Sequence, residues 1–189
     1  MSVAAASPSG SEHRSCFELD QNFFALFGLP ERFAVDAAAL DEAYRVVQSL
    51  VHPDRHATAG DAQKRAASQA AAHANEAYRT LRKPLTRAVY LCHLRGVDPQ
   101  SETDTAMPGA FLMQQMEWRE TLAESQDAAA LQALAKEVDA ARRAGVDEVQ
   151  RLLDGQVADP QAALQAVRKL MFIEKFAAEL DDALDRLHA

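Results

Sequence analysis

Cysteine is almost absent from this chain of 189 residues: Cys16 and Cys92 are the only two, and no Cys-x-x-Cys pair occurs. Two isolated cysteines cannot form the disulfide framework that stabilises a small secreted domain. They also exclude a conventional iron–sulfur cluster held by this chain alone, because such a cluster needs about four cysteine or histidine ligands. The sequence therefore predicts neither disulfide bonds nor a resident cofactor.

Glycine and β-branched runs are scarce as well, with seven glycines in the whole chain. Alanine, leucine, glutamine and charged residues are abundant instead, and most of these favour helices. The composition therefore predicts an all-α protein. Long apolar runs are missing too, because charged residues interrupt them. We expect a soluble protein with no membrane-spanning segment.

The first 16 residues lack the features of a targeting segment. They have neither the basic-then-apolar order of a secretory signal nor the arginine-rich amphipathic pattern of a transit peptide. We expect residues 1–16 to form a disordered tail.

Charge is distributed unevenly along the chain. Residues 17–96 carry ten basic and nine acidic side chains, whereas residues 97–189 carry nine basic and eighteen acidic ones. Nucleic-acid binding depends on basic side chains that neutralise phosphates. The acidic second half therefore argues against a nucleic-acid partner.

Apolar residues recur at three- and four-residue spacing in four segments of the first half, which is typical of amphipathic helices. The segments are a short aromatic one within 17–30, then 36–51, 61–81 and 84–96. The second and third are predicted to form an antiparallel hairpin. Candidates for the buried face of the third segment include Ala66, Ala70, His73, Ala77 and Leu81.

The helical pattern disappears in residues 97–107, which we interpret as a linker between two domains. Three further helical segments follow. They begin at Pro108, Asp127 and Asp159-Pro160. Their spacing predicts an antiparallel three-helix bundle over residues 108–189, after a first domain over residues 17–96.

A histidine–proline–aspartate turn follows the second helical segment. Pro53 has no backbone N–H and disfavours helical backbone in the residue before it, so the helix should end at about Val51. His52 and Asp54 then lie side by side on a turn, where a partner protein can reach both. Because Pro-Asp pairs are ordinary turn formers, the tripeptide alone is weak evidence. Its position between two helices makes it a candidate binding site.

An enzymatic interpretation depends on two other pairs. His52 and His56 have the His-x₃-His spacing of zinc ligands, but no other zinc motif accompanies them and Pro53 interrupts the helix. Cys92 and His93 are neighbours on a predicted helix, so their side chains point to different faces. We therefore expect neither a metal site nor catalytic residues.

The order of these motifs resembles a known family. A helix into His52-Pro53-Asp54, a long return helix with NEAYRTL at 75–81, and a terminal helix are similar to a J-domain. Four further stretches resemble the HscB co-chaperones of iron–sulfur cluster assembly. They are FFALFGLP at 23–30, LRKPLTRAVYL at 81–91, AFLMQQME at 110–117 and VRKLMFIEK at 167–175.

The resemblance implies an L-shaped, all-α protein with an N-terminal J-domain, a C-terminal three-helix bundle and no catalysis of its own. It implies that the J-domain stimulates the ATPase of a heat-shock 70 kDa class chaperone (HscA/DnaK type). The bundle would bind and deliver the cluster scaffold IscU. The predicted chaperone-binding residues are His52, Pro53, Asp54, Arg55 and Arg45. The predicted scaffold-binding residues are Leu112, Met113, Met116, Glu117, Glu120 and Phe172.

Three departures from the family pattern are apparent. Val51 and Arg55-His56 replace the aromatic residue before the turn and the lysine after it that are usual in the family. The helix before the turn carries only Arg45 as a base, although many J-domains use a basic face there to attract an acidic chaperone surface. Lys64 and Arg65 are candidate substitutes. The zinc-binding cysteine pairs of eukaryotic members are absent, which favours a bacterial-type protein in the cytoplasm.

Two alternatives remain open. Periodicity alone favours a position in the bundle core for Leu112, Met113 and Met116. The resemblance implies instead that they form an exposed, methionine-rich binding surface. A J-domain co-chaperone for a different client would share the first domain, so only the bundle surface distinguishes it.

Overall fold

The computed structural model describes residues 21–51, 60–101, 107–125, 127–155 and 159–188, and within these ranges every regular element is a helix. The helices are α1 (Phe23–Leu26), α2 (Ala37–Val51), α3 (Asp61–Arg82), α4 (Pro84–Leu94), α5 (Gly109–Glu124), α6 (Ala128–Asp154) and α7 (Pro160–His188). The predicted all-α fold is confirmed. Both ends of α3 and α4, and the starts of α2, α5, α6 and α7, lie within two residues of their predicted positions.

Local chemistry sets several of these helix ends. Asp36, Asp127 and Asp159 each precede a helix and accept a hydrogen bond from a backbone N–H in its first turn, at 2.8, 3.0 and 2.9 Å. Such caps satisfy donors that have no partner within the helix. Pro84 occupies the first position of α4, where its missing N–H costs nothing. Gly96 follows α4 with a φ of 76°, a backbone conformation that favours glycine.

Helices α2 and α3 form the predicted antiparallel hairpin, but the buried face of α3 differs from the predicted one. The buried residues of α3 are Ala67, Ala70, Ala74, Ala77 and Leu81. Ala66 is exposed and His73 is only half-buried, so the prediction was wrong at these two positions. The His73 ring lies at the edge of the buried stripe, in edge contact with Phe23 at 5.4 Å between ring centroids.

One hydrophobic core extends through both halves of the chain. Its members from the first half include Phe24, Leu40, Leu81 and Leu91, and those from α6 and α7 include Val149, Leu153, Val167 and Leu170. A second cluster lies in the bundle. It contains Phe111, Trp118, Leu131, Leu134, Val138, Ile173, Phe176 and Leu180. Because α4 packs directly on α6 and α7, the two halves form one continuous structure.

Candidate functional site

A row of exposed apolar side chains on α5 is the first candidate surface. Leu112, Met113 and Met116 are 45%, 65% and 71% exposed. Steps of three and four residues place Met116 on the same side of the helix as the other two. Phe111 and Trp118 are buried on the other side of α5. We call Leu112, Met113 and Met116 the Leu-Met face. Its exposure shows that the core position favoured by periodicity was wrong.

Aromatic contacts hold the buried side of α5 in the bundle. Trp118 stacks on Phe176 with 5.4 Å between ring centroids, and its indole Nε1 donates a hydrogen bond to Oε1 of Glu137 at 2.7 Å. The hydrogen bond satisfies a donor that would otherwise be buried without a partner. The aromatic residues thus anchor α5, and the Leu-Met face is left free for other contacts.

Two predicted acidic residues lie beside the Leu-Met face. Glu117 follows Met113 by four residues, and Glu120 follows Met116 by four, so each is on the adjoining turn of α5. Both side chains are exposed. An apolar centre with a charged rim is typical of protein–protein interfaces.

The sixth predicted scaffold-binding residue, Phe172 on α7, is half-buried. Its ring meets the edge of Phe111 at 5.7 Å between centroids, and the guanidinium carbon of Arg119 lies 5.4 Å from its ring centre. Arg119 follows Met116 by three residues on α5. Phe172 therefore lies beside the Leu-Met face with its ring partly covered. Arg119 was not among the predicted site residues, although its three-residue spacing from Met116 places it on the same side of α5.

The predicted chaperone-binding turn lies outside the described residues. Its members are His52, Pro53, Asp54 and Arg55. The described part of α2 runs to Val51, the last residue before this turn that the structure describes. Arg45 is exposed on α2 and forms an ion pair with Glu42, three residues earlier. Lys64 and Arg65 are exposed near the start of α3.

A polar cluster fixes the α2–α3 hairpin that leads to this turn. The Tyr44 hydroxyl and the Gln48 amide both donate to Oδ1 of Asn75 at 2.6 Å. Tyr44 also stacks on Tyr78 at 4.2 Å, and the Tyr78 hydroxyl donates to Asp41 at 2.9 Å. That hydrogen bond raises the pKa of Tyr78. The motif at 75–81 thus contributes two residues that align α2 with α3, a role that sequence analysis did not assign.

Cys92 and His93 do not form a nucleophile–base pair. Cys92 is buried, and burial raises the pKa of its thiol. His93 is on the surface, where its Nε2 lies 3.1 Å from Oδ1 of Asp98. The thiol is therefore held in its unreactive, protonated form.

In the part of the chain that the structure describes, no group of three or more histidine, cysteine, aspartate or glutamate side chains could hold a metal ion. The His52–His56 pair lies outside that part. None of the helices that the structure describes is both long and apolar enough to cross a membrane.

Comparison with known proteins gives the family. Residues 107–181 match the family described as the HSCB C-terminal oligomerisation domain. The HscB co-chaperone homolog of Cupriavidus taiwanensis is 57% identical over 173 residues, which cover 90% of this chain and 97% of that protein. The chain belongs to the HscB co-chaperone family.

Further HscB proteins are also similar to this chain. The homolog of Paraburkholderia xenovorans is 54% identical over 172 residues, 89% of this chain and 97% of that protein. The structure of HscB from Vibrio cholerae has a TM-score of 0.75 at 38% identity and covers 88% of this chain and 99% of its own. Human HscB has a TM-score of 0.81 at 26% identity, with coverages of 94% and 93%.

These matches confirm an N-terminal J-domain followed by a C-terminal helical bundle. As a member of the HscB family, the chain is a co-chaperone of iron–sulfur cluster assembly. Its relatives are named as co-chaperones, which indicates a chaperone-type and not an enzyme-type protein.

Proposed function

We propose that this HscB co-chaperone is an adaptor with two binding surfaces. Its J-domain, residues 17–96, stimulates the ATPase of a heat-shock 70 kDa class chaperone of the HscA/DnaK type. Its bundle, residues 108–189, binds the scaffold IscU and delivers it to that chaperone in the bacterial cytoplasm. The exposure of the Leu-Met face on α5 is the observation that carries this proposal.

The Leu-Met face has the properties of a docking surface for a folded protein. Large apolar side chains rarely cluster on a surface that has no partner. Methionine is flexible and polarisable, so Met113 and Met116 can adapt to the partner's contour. Glu117 and Glu120 provide a charged rim that selects a partner with basic or hydrogen-bond-donor groups.

The chaperone end of the adaptor uses the turn at 52–55. Asp54 can accept a charge-assisted, bidentate hydrogen bond from an arginine of the chaperone. Pro53 restricts the free turn and so lowers the entropy lost on docking. His52, Arg55 and, on α2, Arg45 complete this contact.

Purified proteins test the proposal. The wild-type chain should bind the scaffold in calorimetry and raise the chaperone's ATPase rate. The variant Leu112→Ala/Met113→Ala/Phe172→Ala should lose scaffold binding and still raise the rate. Leu187→Ala, which truncates another exposed leucine of the bundle, is the matched control and should behave like wild type.

A wild-type chain that stimulates the ATPase but shows no heat of binding with the scaffold would contradict the scaffold assignment. It would point to the second candidate function, a J-domain co-chaperone for a different client. That candidate shares the J-domain and differs only in what the Leu-Met face binds.

A further inference from the structure

A single carboxylate joins the end of the bundle to the backbone of the J-domain. Asp154, the last residue of α6, accepts a hydrogen bond from the backbone N–H of Phe33 at 2.6 Å and another from that of Ala34 at 2.7 Å. Each carboxylate oxygen takes one of them. Phe33 and Ala34 lie in the turn between α1 and α2, about 120 residues earlier in the chain.

The charge of Asp154 does not favour α6 itself. The C-terminal end of a helix carries a partial negative charge, so cations stabilise it and an aspartate does not. The two backbone N–H groups of the J-domain turn are what stabilise this carboxylate, through hydrogen bonds strengthened by its charge. Removing the carboxylate should therefore leave α6 folded.

The turn that Asp154 holds is also fixed by its side chains. Phe33 is only 1% exposed, and the guanidinium carbon of Arg87 lies 4.9 Å from the centre of its ring. Arg87 Nη1 donates to the Leu81 carbonyl at 2.6 Å. Burial lowers the pKa of Arg87, and the negative charge of Asp154 acts in the opposite direction. The Asp154 carboxylate therefore binds a segment of the J-domain that the side-chain contacts of Phe33 also hold in place.

Other contacts keep the two halves together when this one is lost. Arg95 donates to the Leu153 carbonyl at 2.8 Å. Arg168 on α7 donates to the carbonyls of Pro99 and Ser101 at 3.0 and 2.9 Å, which holds the start of the linker after α4 against the bundle. The shared hydrophobic core remains as well. Loss of the Asp154 carboxylate should therefore loosen the joint without separating the halves.

We propose that Asp154 is a positioning residue that fixes the angle between the J-domain and the bundle. This inference rests on the proposed function, because a fixed angle keeps a scaffold on the Leu-Met face within reach of a chaperone docked on the J-domain. A stiff adaptor holds one partner near the other at high effective concentration, and a loose joint lowers that concentration.

Distances between the J-domain and the bundle, measured in the isolated chain, test whether Asp154 fixes the angle between them. Spin labels at Ala39→Cys on α2 and Gln132→Cys on α6, both exposed positions, report the separation of the halves in a Cys16→Ser background. Pulsed electron paramagnetic resonance should give one narrow distance distribution for wild type and a broader one for Asp154→Ala. Asp154→Asn keeps one acceptor oxygen and should be intermediate. Asp182→Ala, the same change at an exposed aspartate on α7, should match wild type.

ATPase titrations test whether a loosened joint impairs delivery of the scaffold to the chaperone. With Asp154→Ala, the scaffold concentration for half-maximal stimulation should rise about fivefold or more, the lower range of typical coupling between sites. The maximal rate and the separate affinities for scaffold and chaperone should stay at wild-type values. An unchanged distance distribution, an unchanged half-maximal concentration, or a loss of either separate affinity would overturn the positioning role. If the wild-type chain neither binds the scaffold nor stimulates the ATPase, the proposed function fails, while the distance measurement still decides the role of Asp154 in the joint.

Discussion

The guanidinium carbon of Arg119 on α5 lies 5.4 Å from the ring centre of Phe172 on α7. Arg119 also pairs with Glu179 at 3.6 Å, which holds it near the ring. Phe172 is thus partly covered, whereas Met113 and Met116 are among the most exposed large apolar side chains. The predicted scaffold-binding residues therefore fall into two groups, and substitutions should separate binding from stability.

The double variant Met113→Ala/Met116→Ala should weaken scaffold binding by more than about 2 kcal/mol, as expected for central hot spots. Its free energy of unfolding should stay within about 0.5 kcal/mol of wild type, because surface substitutions rarely cost more. Calorimetry and urea denaturation measure the two quantities, with Leu187→Ala as control. Unchanged affinity for the scaffold would remove the Leu-Met face from the interface.

Phe172→Ala should affect both quantities. The ring packs against Phe111 and stacks on Phe176 at 6.2 Å. Truncating a fully buried phenylalanine costs ~3–5 kcal/mol, so a half-buried one should lower the free energy of unfolding by about 2 kcal/mol. Urea denaturation of Phe172→Ala beside Met113→Ala gives the comparison. Equal stability of the two variants would show that Phe172 contributes nothing to the core.

Association with the chaperone should depend only weakly on salt. Arg45 is paired with Glu42, and the exposed side chains that follow it on α2, Val46, Ser49 and Leu50, carry no charge. The dissociation constant should change less than about threefold over a roughly fourfold rise in ionic strength, since few unpaired charges are available for screening.

Two variants identify the source of any salt dependence. Glu42→Gln releases Arg45 from its pair and should make the salt dependence steeper than in wild type. A steep dependence in wild type that Lys64→Ala/Arg65→Ala abolishes would contradict this account. It would assign the long-range attraction to the start of α3.

Stability should fall at alkaline pH through Cys92. Burial raises the pKa of its thiol above the ordinary value of 9.0, so the folded chain keeps a proton that the unfolded chain loses. This contribution to the free energy of unfolding is fully present below pH 9 and is lost as the pH rises through the folded-state pKa.

Urea denaturation at a series of pH values, on wild type and Cys92→Ala, measures the effect. The variant should lose less stability than wild type between neutral and alkaline pH. Some loss should remain, because burial also raises the pKa of Tyr90 above its ordinary value of 10.0. Parallel curves for the two proteins would show that Cys92 does not contribute.

Helix ends were predictable from the sequence because their causes are local. Asp36, Asp127 and Asp159 cap the residues that directly follow them, and Pro84 acts on its own backbone. The buried face of α3 was harder to predict. An alanine-rich helix offers several similar faces, so Ala66 and His73 were assigned to the core in place of Ala67 and Ala74.

The Leu-Met face and the Asp154 contact needed the fold. Helix α5 carries large apolar residues on both sides, and periodicity alone favoured the wrong side; the fold shows that Trp118 and Phe111 face the core instead. The resemblance to HscB proteins correctly predicted that the Leu-Met face is exposed. Asp154 meets a turn about 120 residues away, and nothing in the sequence around either partner indicates that contact.

The two binding surfaces should act separately, and the variant Asp54→Asn tests this independence. ATPase stimulation and scaffold affinity are measured on the same preparation, beside wild type and Met113→Ala/Met116→Ala. We predict that Asp54→Asn abolishes stimulation and leaves scaffold affinity unchanged, and that the methionine variant does the reverse. An Asp54→Asn protein that stimulates normally, or that loses both activities together, would contradict the account.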